Sequence, residues 1–288
     1  MKKIKTVIPA PARGHWVGDG FPVRAVFADK AFTEEISPFL MFDYGGPAVF
    51  TPTDKKRGVG PHPHRGFETV TIAFQGEIEH ADSAGHRDVI GPGDVQWMTA
   101  ASGIIHEEMH SDNFSKQGGA FEMAQLWVNL PAKFKMVPPR YQPVQSNDIP
   151  VVQLAGDAGS ARIIAGDFAG TPGAASTFSP VNLWDIQLRA GKQVELTVPA
   201  GHTTLLFVRN GKLSVDGKTL APADVALMDR EGDRLSLVAL EDTSLLLMGG
   251  EPIDEPIAAQ GPFVMNSAKE IRLAIMDYQS GQMGRMAH

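Results

Sequence analysis

Along this chain apolar and polar residues alternate in short runs and seldom recur at helical spacing, a pattern that predicts strands. In residues 69–74, Val70, Ile72 and Phe74 fall on one face and Thr69, Thr71 and Ala73 on the other, the period-two mark of a half-buried strand. Gly76 turns the chain. The stretch "DVIGPGDVQWMT" (88–99) predicts two strands joined by a Gly-Pro-Gly-Asp turn, and "MAQLWVNL" (123–130) predicts another strand. Helical patterning is scarce. Its best case is "NSAKEIRLAIMDYQSG" near the C-terminus, where Asn266 or Ser267 can cap and Ile271, Ile275 and Tyr278 share a stripe.

The pattern repeats. "GPGDVQWMT" (91–99) has a counterpart in "APADVALMD" (221–229), and "IAFQGEI" (72–78) has one in "LFVRNGKL" (206–213). The spacing from turn glycine to shared aspartate is shorter in the second copy, which implies a trimmed hairpin. One β-unit has been duplicated. A proline-rich link, "NLPAKFKMVPPRYQPV" (129–144), separates the halves, and the chain divides into residues 1–135 and 136–288, the second half ending in the short helix. A length of 288 residues suits two domains.

Composition narrows the chemistry. There are 26 Lys plus Arg against 33 Asp plus Glu, a formal charge of −7, which disfavours direct binding to nucleic acid. With no cysteine, disulfides, thiolate ligands and thiol nucleophiles are excluded, so redox chemistry needs a bound cofactor or metal. Pro9, Pro11, Arg13 and Gly14 interrupt the N-terminus before a signal-peptide core develops, and no apolar run reaches the ~18 residues of a membrane span. The expectation is a soluble, cytoplasmic protein with no membrane partner.

Against this background "GPHPHRGFETV" (60–70) stands out. Residues two apart on a strand project to one face, so His62 and His64 can point into one space while Pro63 faces away. In "SGIIHEEMH" (102–110), His106 and Glu108 are spaced the same way. Three neutral imidazoles and one carboxylate leave a divalent ion with a charge of about +1 and, in octahedral geometry, about two open positions. Without a thiolate such a set favours Fe(II), Mn, Ni, Co or Cu over a closed structural zinc, although zinc also accepts these donors. Glu68, four residues after His64, can replace Glu108, orient an imidazole or pair with a cation. The positions matching His62 and His64 in the second copy are Thr197 and Pro199, so only the first copy keeps the imidazoles. His80, His86 and His110 are expected to be exposed; His110 continues the alternation of His106 and Glu108 and is the first of the three to suspect behind the ligands. Trp97, Met98 and Phe74 read as core. No nucleophile elbow, P-loop or dinucleotide fingerprint occurs in a suitable context.

"HPHRGFETV", "GPGDVQWMTAASGIIHEEMH", "PFLMFDYG" (38–45) and "GEPIDEPIAAQGPFVMN" (250–266) together resemble the pirin family of the cupin superfamily. The resemblance runs from about residue 38 to the link and resumes from about 180 to 284. The first ~30 residues and the segment 149–179 match less well. It implies an all-β bicupin, two antiparallel β-barrels of the double-stranded β-helix (jelly-roll) type facing each other, with few short helices and metal in the N-terminal barrel alone. It also implies the ligand set His62, His64, His106 and Glu108, leaves Glu68 outside it, and makes Fe the metal most often associated with the family.

Two functions follow from the resemblance. In the first, the protein acts as a quercetin 2,3-dioxygenase, opening the heterocycle of a flavonol-like substrate with O2 and releasing carbon monoxide. Glu108 is then both ligand and catalytic base, with Glu68 and Gln96 as acceptors for the outer imidazole N–H groups. In the second, a change between ferrous and ferric iron alters a surface that binds a protein partner, a transcription factor or a metabolic enzyme.

Overall fold

The computed structural model describes residues 1–28 and 30–286. Antiparallel strands build almost all of it, in two compact units of the same design. Each unit is assembled from three separated stretches. One comprises Arg13–Ala25, Leu40–Ser146 and Ile253–His288, the other Met1–Ala12, Val26–Phe39 and Asn147–Pro252. The C-terminal helix therefore belongs to the unit that carries the histidine strands, whereas a single boundary at residue 135 would have put it in the other half.

In the histidine-bearing unit a seven-stranded sheet runs from Arg140–Val144 through Val95–Thr99, Phe67–Gln75, Gly119–Asn129, Phe39–Phe50 and Phe21–Phe27 to His15–Val17. A four-stranded sheet has the order Gly58–His64, Ile104–His110, Ile78–Asp82, Arg87–Ile90. The strand Gly58–His64 lies at the sheet edge, which is why Pro61 and Pro63 are tolerated in it. The proline-rich link is not loose chain. Its Arg140–Val144 pairs with Val95–Thr99, and its Lys135 is buried with Nζ donating to the Gly66 carbonyl (2.7 Å), Asn129 Oδ1 (2.6 Å) and the Val264 carbonyl (3.0 Å).

The duplication is visible atom by atom. Gly91 N–H donates to Asp94 Oδ2 (2.9 Å) and Ala221 N–H to Asp224 Oδ2 (2.8 Å), closing the same turn in both copies. Gly93 N–H reaches the Ala73 carbonyl at 2.7 Å, and Ala223 N–H reaches Val208 at 2.7 Å. The turn demands a positive φ, met by Gly93 at +91° and, with strain, by Ala223 at +67°. The second copy keeps a shortened hairpin, Leu213–Val215 with Lys218–Leu220, where the first has Ile78–Asp82 with Arg87–Ile90. Its counterparts of the histidine strands, Gln193–Thr197 and Arg234–Ala239, bury Val194, Leu196, Leu235 and Leu237 in an apolar core with Trp184, Leu206 and Leu247. Each such side chain contributes about 1.5–3 kcal/mol by leaving water.

Two expectations change. The strand Phe67–Gln75 is buried on both faces from Phe67 to Ala73, because its Thr69–Thr71 face is also covered by protein. In the helix Ala268–Gln279, Ser267 is the cap, accepting from Glu270 N–H while Glu270 Oε2 accepts from Asn266 N–H, a reciprocal box. Its buried residues are Ile271 and Ala274; Tyr278 is 38% exposed. No helix among the described residues is long and apolar enough to cross a membrane.

Gly66 ties the histidine strand to the C-terminal segment. Its φ is +89°, and an added Cβ would lie 1.9 Å from the Val264 carbonyl oxygen, beside the Arg65–Val264 backbone bond of 3.0 Å. Gly66→Ala is therefore expected to cost more than ~1 kcal/mol of stability, read as a lowered urea midpoint, whereas Gly85→Ala, with open space around its Cβ, should cost less.

Candidate metal centre

Strand register brings the two sequence pairs together. His106 stands directly across from His62, and Ile104 across from His64, on antiparallel strands. Between His106 and Glu108 the ladder bulges: Glu108 pairs with Val59, so Gly60 and Pro61 both oppose Glu107. On its other side the strand Ile104–His110 pairs with Ile78–Asp82, which sets His80 across from Glu108.

The donor atoms of His62, His64 and His106 lie within 4.8 Å of one another, and so do those of His80, His106 and Glu108. His106 belongs to both trios. Ring centroids are 4.3 Å apart for His62 and His106, 4.8 Å for His64 and His106, and 4.9 Å for His62 and His64. His64, His80, His106 and Glu108 are buried, and His62 is half-buried. Glu108 Oε1 accepts from Gln125 Nε2 at 2.9 Å and from Thr71 Oγ1 at 3.4 Å.

The protonation pattern suits a cation. A carbonyl can only accept, so the 2.9 Å contact of His62 Nδ1 with the Gly60 carbonyl places the proton on Nδ1 and leaves the Nε2 lone pair available. Burial, reinforced by the neighbouring imidazoles, holds His64 and His106 well below the ordinary histidine value, so both are neutral at pH 7. Neither ring nitrogen of His106 or of His80, nor Nδ1 of His64, has a hydrogen-bond partner. An unmet buried nitrogen costs about 1–3 kcal/mol, and a bound ion would recover that cost. The residues present therefore fit a divalent transition metal.

Other candidates fall elsewhere. Glu68 alternates with Thr69 and Thr71, so it faces away from the sheet side that reaches Glu108; its Oε1 accepts from Thr99 Oγ1 at 2.6 Å. Gln96 pairs with Thr71, on the Glu108 side, and both of its side-chain polar atoms lack partners. Trp97 and Met98 are fully buried, as their reading as core requires. His86 is half exposed, bonded to Asp82 (2.9 Å) and stacked on Tyr141. His110 is buried, not exposed: its Nε2–H donates to the Gly20 carbonyl at 2.8 Å, and Phe50, Phe114 and Phe121 enclose its ring. That is a core role. His80 is the residue that sequence reasoning missed. The alternation Ile78, His80, Asp82 was its signal, but the facing residue depends on register.

Fold and site together define a class: a chain of two cupin-type antiparallel β-units, one of which holds a buried histidine and carboxylate pocket able to take a metal ion. Residues 20–128 match the family model described as Pirin, and residues 183–284 match the Pirin C-terminal cupin domain. The chain belongs to the pirin family. A Pseudomonas aeruginosa protein named "Putative quercetin 2,3-dioxygenase" is 54% identical over 285 residues, 99% of each chain. A tomato (Solanum lycopersicum) pirin-like protein is 38% identical, covering 95% of this chain and 90% of its own. The crystal structure of a quercetin 2,3-dioxygenase from Acinetobacter baumannii superposes with a TM-score of 0.95 at 50% identity over 99% of both chains.

Burial lifts the pKa of Glu68 to about 7, against 4.5 for a free glutamate. Between those values the folded state holds a proton that the unfolded state has released, so stability is full below pH 4.5 and falls as pH rises through 7, by roughly 3 kcal/mol at most. Glu68→Gln should flatten this fall in urea unfolding measured across pH 4.5 to 8; an unchanged pH profile would contradict it.

Proposed function

We propose that this chain is a metal-dependent dioxygenase of the quercetin 2,3-dioxygenase type, acting on a flavonol-like small molecule and O2. The observation that carries the reading is the convergence of His62, His64 and His106 on one buried point with Glu108 beside them. The 54% and 50% identity to proteins named for that activity supports it.

His62, His64, His106 and Glu108 would hold one divalent transition ion, Fe(II) being the first candidate, which supplies Lewis acidity and access to dioxygen. The chain's own residues divide the remaining work. The imidazoles of His64 and His106, kept neutral by burial, offer lone pairs instead of competing protons. Glu108 serves as the base that takes the 3-hydroxyl proton of the flavonol, and Gln125 and Thr71 hold its Oε1 so that the carboxylate stays in one orientation. Overall, both atoms of O2 enter the organic product and one ring carbon leaves as carbon monoxide.

Protein loaded anaerobically with Fe(II) and then mixed with quercetin in air should bleach the flavonol absorbance and release carbon monoxide. Binding of quercetin without oxygen uptake would refute the assignment. His106→Ala is expected to lose both bound metal and turnover. Glu108→Gln should keep the metal while turnover falls by roughly 10²–10⁴-fold, the range expected on losing a general base; unchanged turnover removes that role.

A further inference from the structure

We propose that His80 is a fifth donor of the metal centre, able to hold the ion together with His106 from the side on which Glu108 lies. The proposal rests on the metal-dependent reading above and extends its ligand set.

Three independent features lead to His80. Register is the first: His80 is the cross-strand partner of Glu108, and cross-strand partners project to the same side of a sheet. Proximity is the second. Its donor atoms lie within 4.8 Å of those of His106 and Glu108, and Nδ1 is 3.6 Å from Glu108 Oε1, too long for a hydrogen bond but right for two groups that face one ion. Unmet bonding is the third. His80 is 1% exposed, and neither of its nitrogens has a hydrogen-bond partner. A buried histidine that serves only packing is satisfied internally, as His110 is by the Gly20 carbonyl among three phenylalanines.

The duplicated unit supplies a comparison. There the hairpin strand equivalent to Ile78–Asp82 is Leu213–Val215, and its buried residues are Leu213 and Val215. The copy without the H-x-H and H-x-E pairs also lacks an imidazole here. Because His80 and Glu108 approach the same place, either can complete a set begun by His62, His64 and His106. Loss of Glu108 would then leave a four-imidazole site that suits nitrogen-preferring ions such as Co(II), Ni(II) or Cu(II).

A double-mutant cycle on the full chain tests this, with Co(II) affinity and the imidazole count from pulsed EPR of the Cu(II) form as readouts. Glu108→Ala should weaken Co(II) by about tenfold and show four coordinated imidazoles, and His80→Ala should weaken it less. The double variant should lose at least about tenfold more than the product of the two single losses and show three imidazoles. His80→Phe, which keeps the volume and removes both nitrogens, should match His80→Ala, with circular dichroism confirming the fold. Losses that simply multiply, with three imidazoles already in Glu108→Ala, would overturn the proposal while leaving the metal centre intact. A wild-type chain that takes up no stoichiometric ion would instead overturn the metal-dependent reading itself.

Discussion

The site depends on one pairing: the antiparallel contact that sets His106 across from His62. Side chains on a strand alternate, so a slip of one residue would turn His106 and Glu108 away from His62 and His64 together. Each local oddity in the segment serves this register. Pro61 and Pro63 need a strand without a ladder on one side, and the edge position provides it. The bulge that puts Gly60 and Pro61 against Glu107 accompanies the hydrogen bond that the Gly60 carbonyl accepts from His62 Nδ1–H. Nothing in this arrangement calls for a flexible loop. The donors stand on strands, whose backbone bonds fix them before any ion arrives.

Register alone does not hold an edge strand, and the C-terminal segment completes the job. Arg65, next to His64, donates its backbone N–H to Pro262 and its guanidinium to Asp277, while its carbonyl accepts from Val264. Lys135 joins the Gly66 and Val264 carbonyls through one ammonium. Farther along, Ser83 Oγ accepts from Ile105 N–H and donates to the Met283 carbonyl, which ties the second ligand strand to the same segment. Residues more than 120 positions downstream thus brace both ligand pairs, which gives the C-terminal helix its place in the histidine-bearing unit.

Duplication explains how one architecture supports both a polar and an apolar interior. The aspartate-closed turn and the sheet orders are common to both units, so these belong to the fold. What differs is the cargo of the equivalent strands: imidazoles and a carboxylate in one, valine and leucine in the other. A strand tolerates either, because its backbone bonds do not depend on side-chain chemistry. The polar version carries unmet buried nitrogens on His64, His80 and His106 that a bound cation would satisfy.

The sequence by itself determined the strand-rich class, the repeat, a helix capped at Asn266 or Ser267 and the spacing of the two pairs His62–His64 and His106–Glu108, since each is written in local spacing or turn chemistry. It misjudged Tyr278, His80, His110 and the half-buried strand, where exposure is set by distant elements. Only the tertiary structure decided that His80 faces Glu108, that Glu68 turns to Thr99 instead, and that the helix Ala268–Gln279 joins the histidine-bearing unit. Alternation tells which residues share a face, but not what stands across from them. That follows from pairing between strands far apart in the chain, a choice made by packing and register once the whole unit has closed.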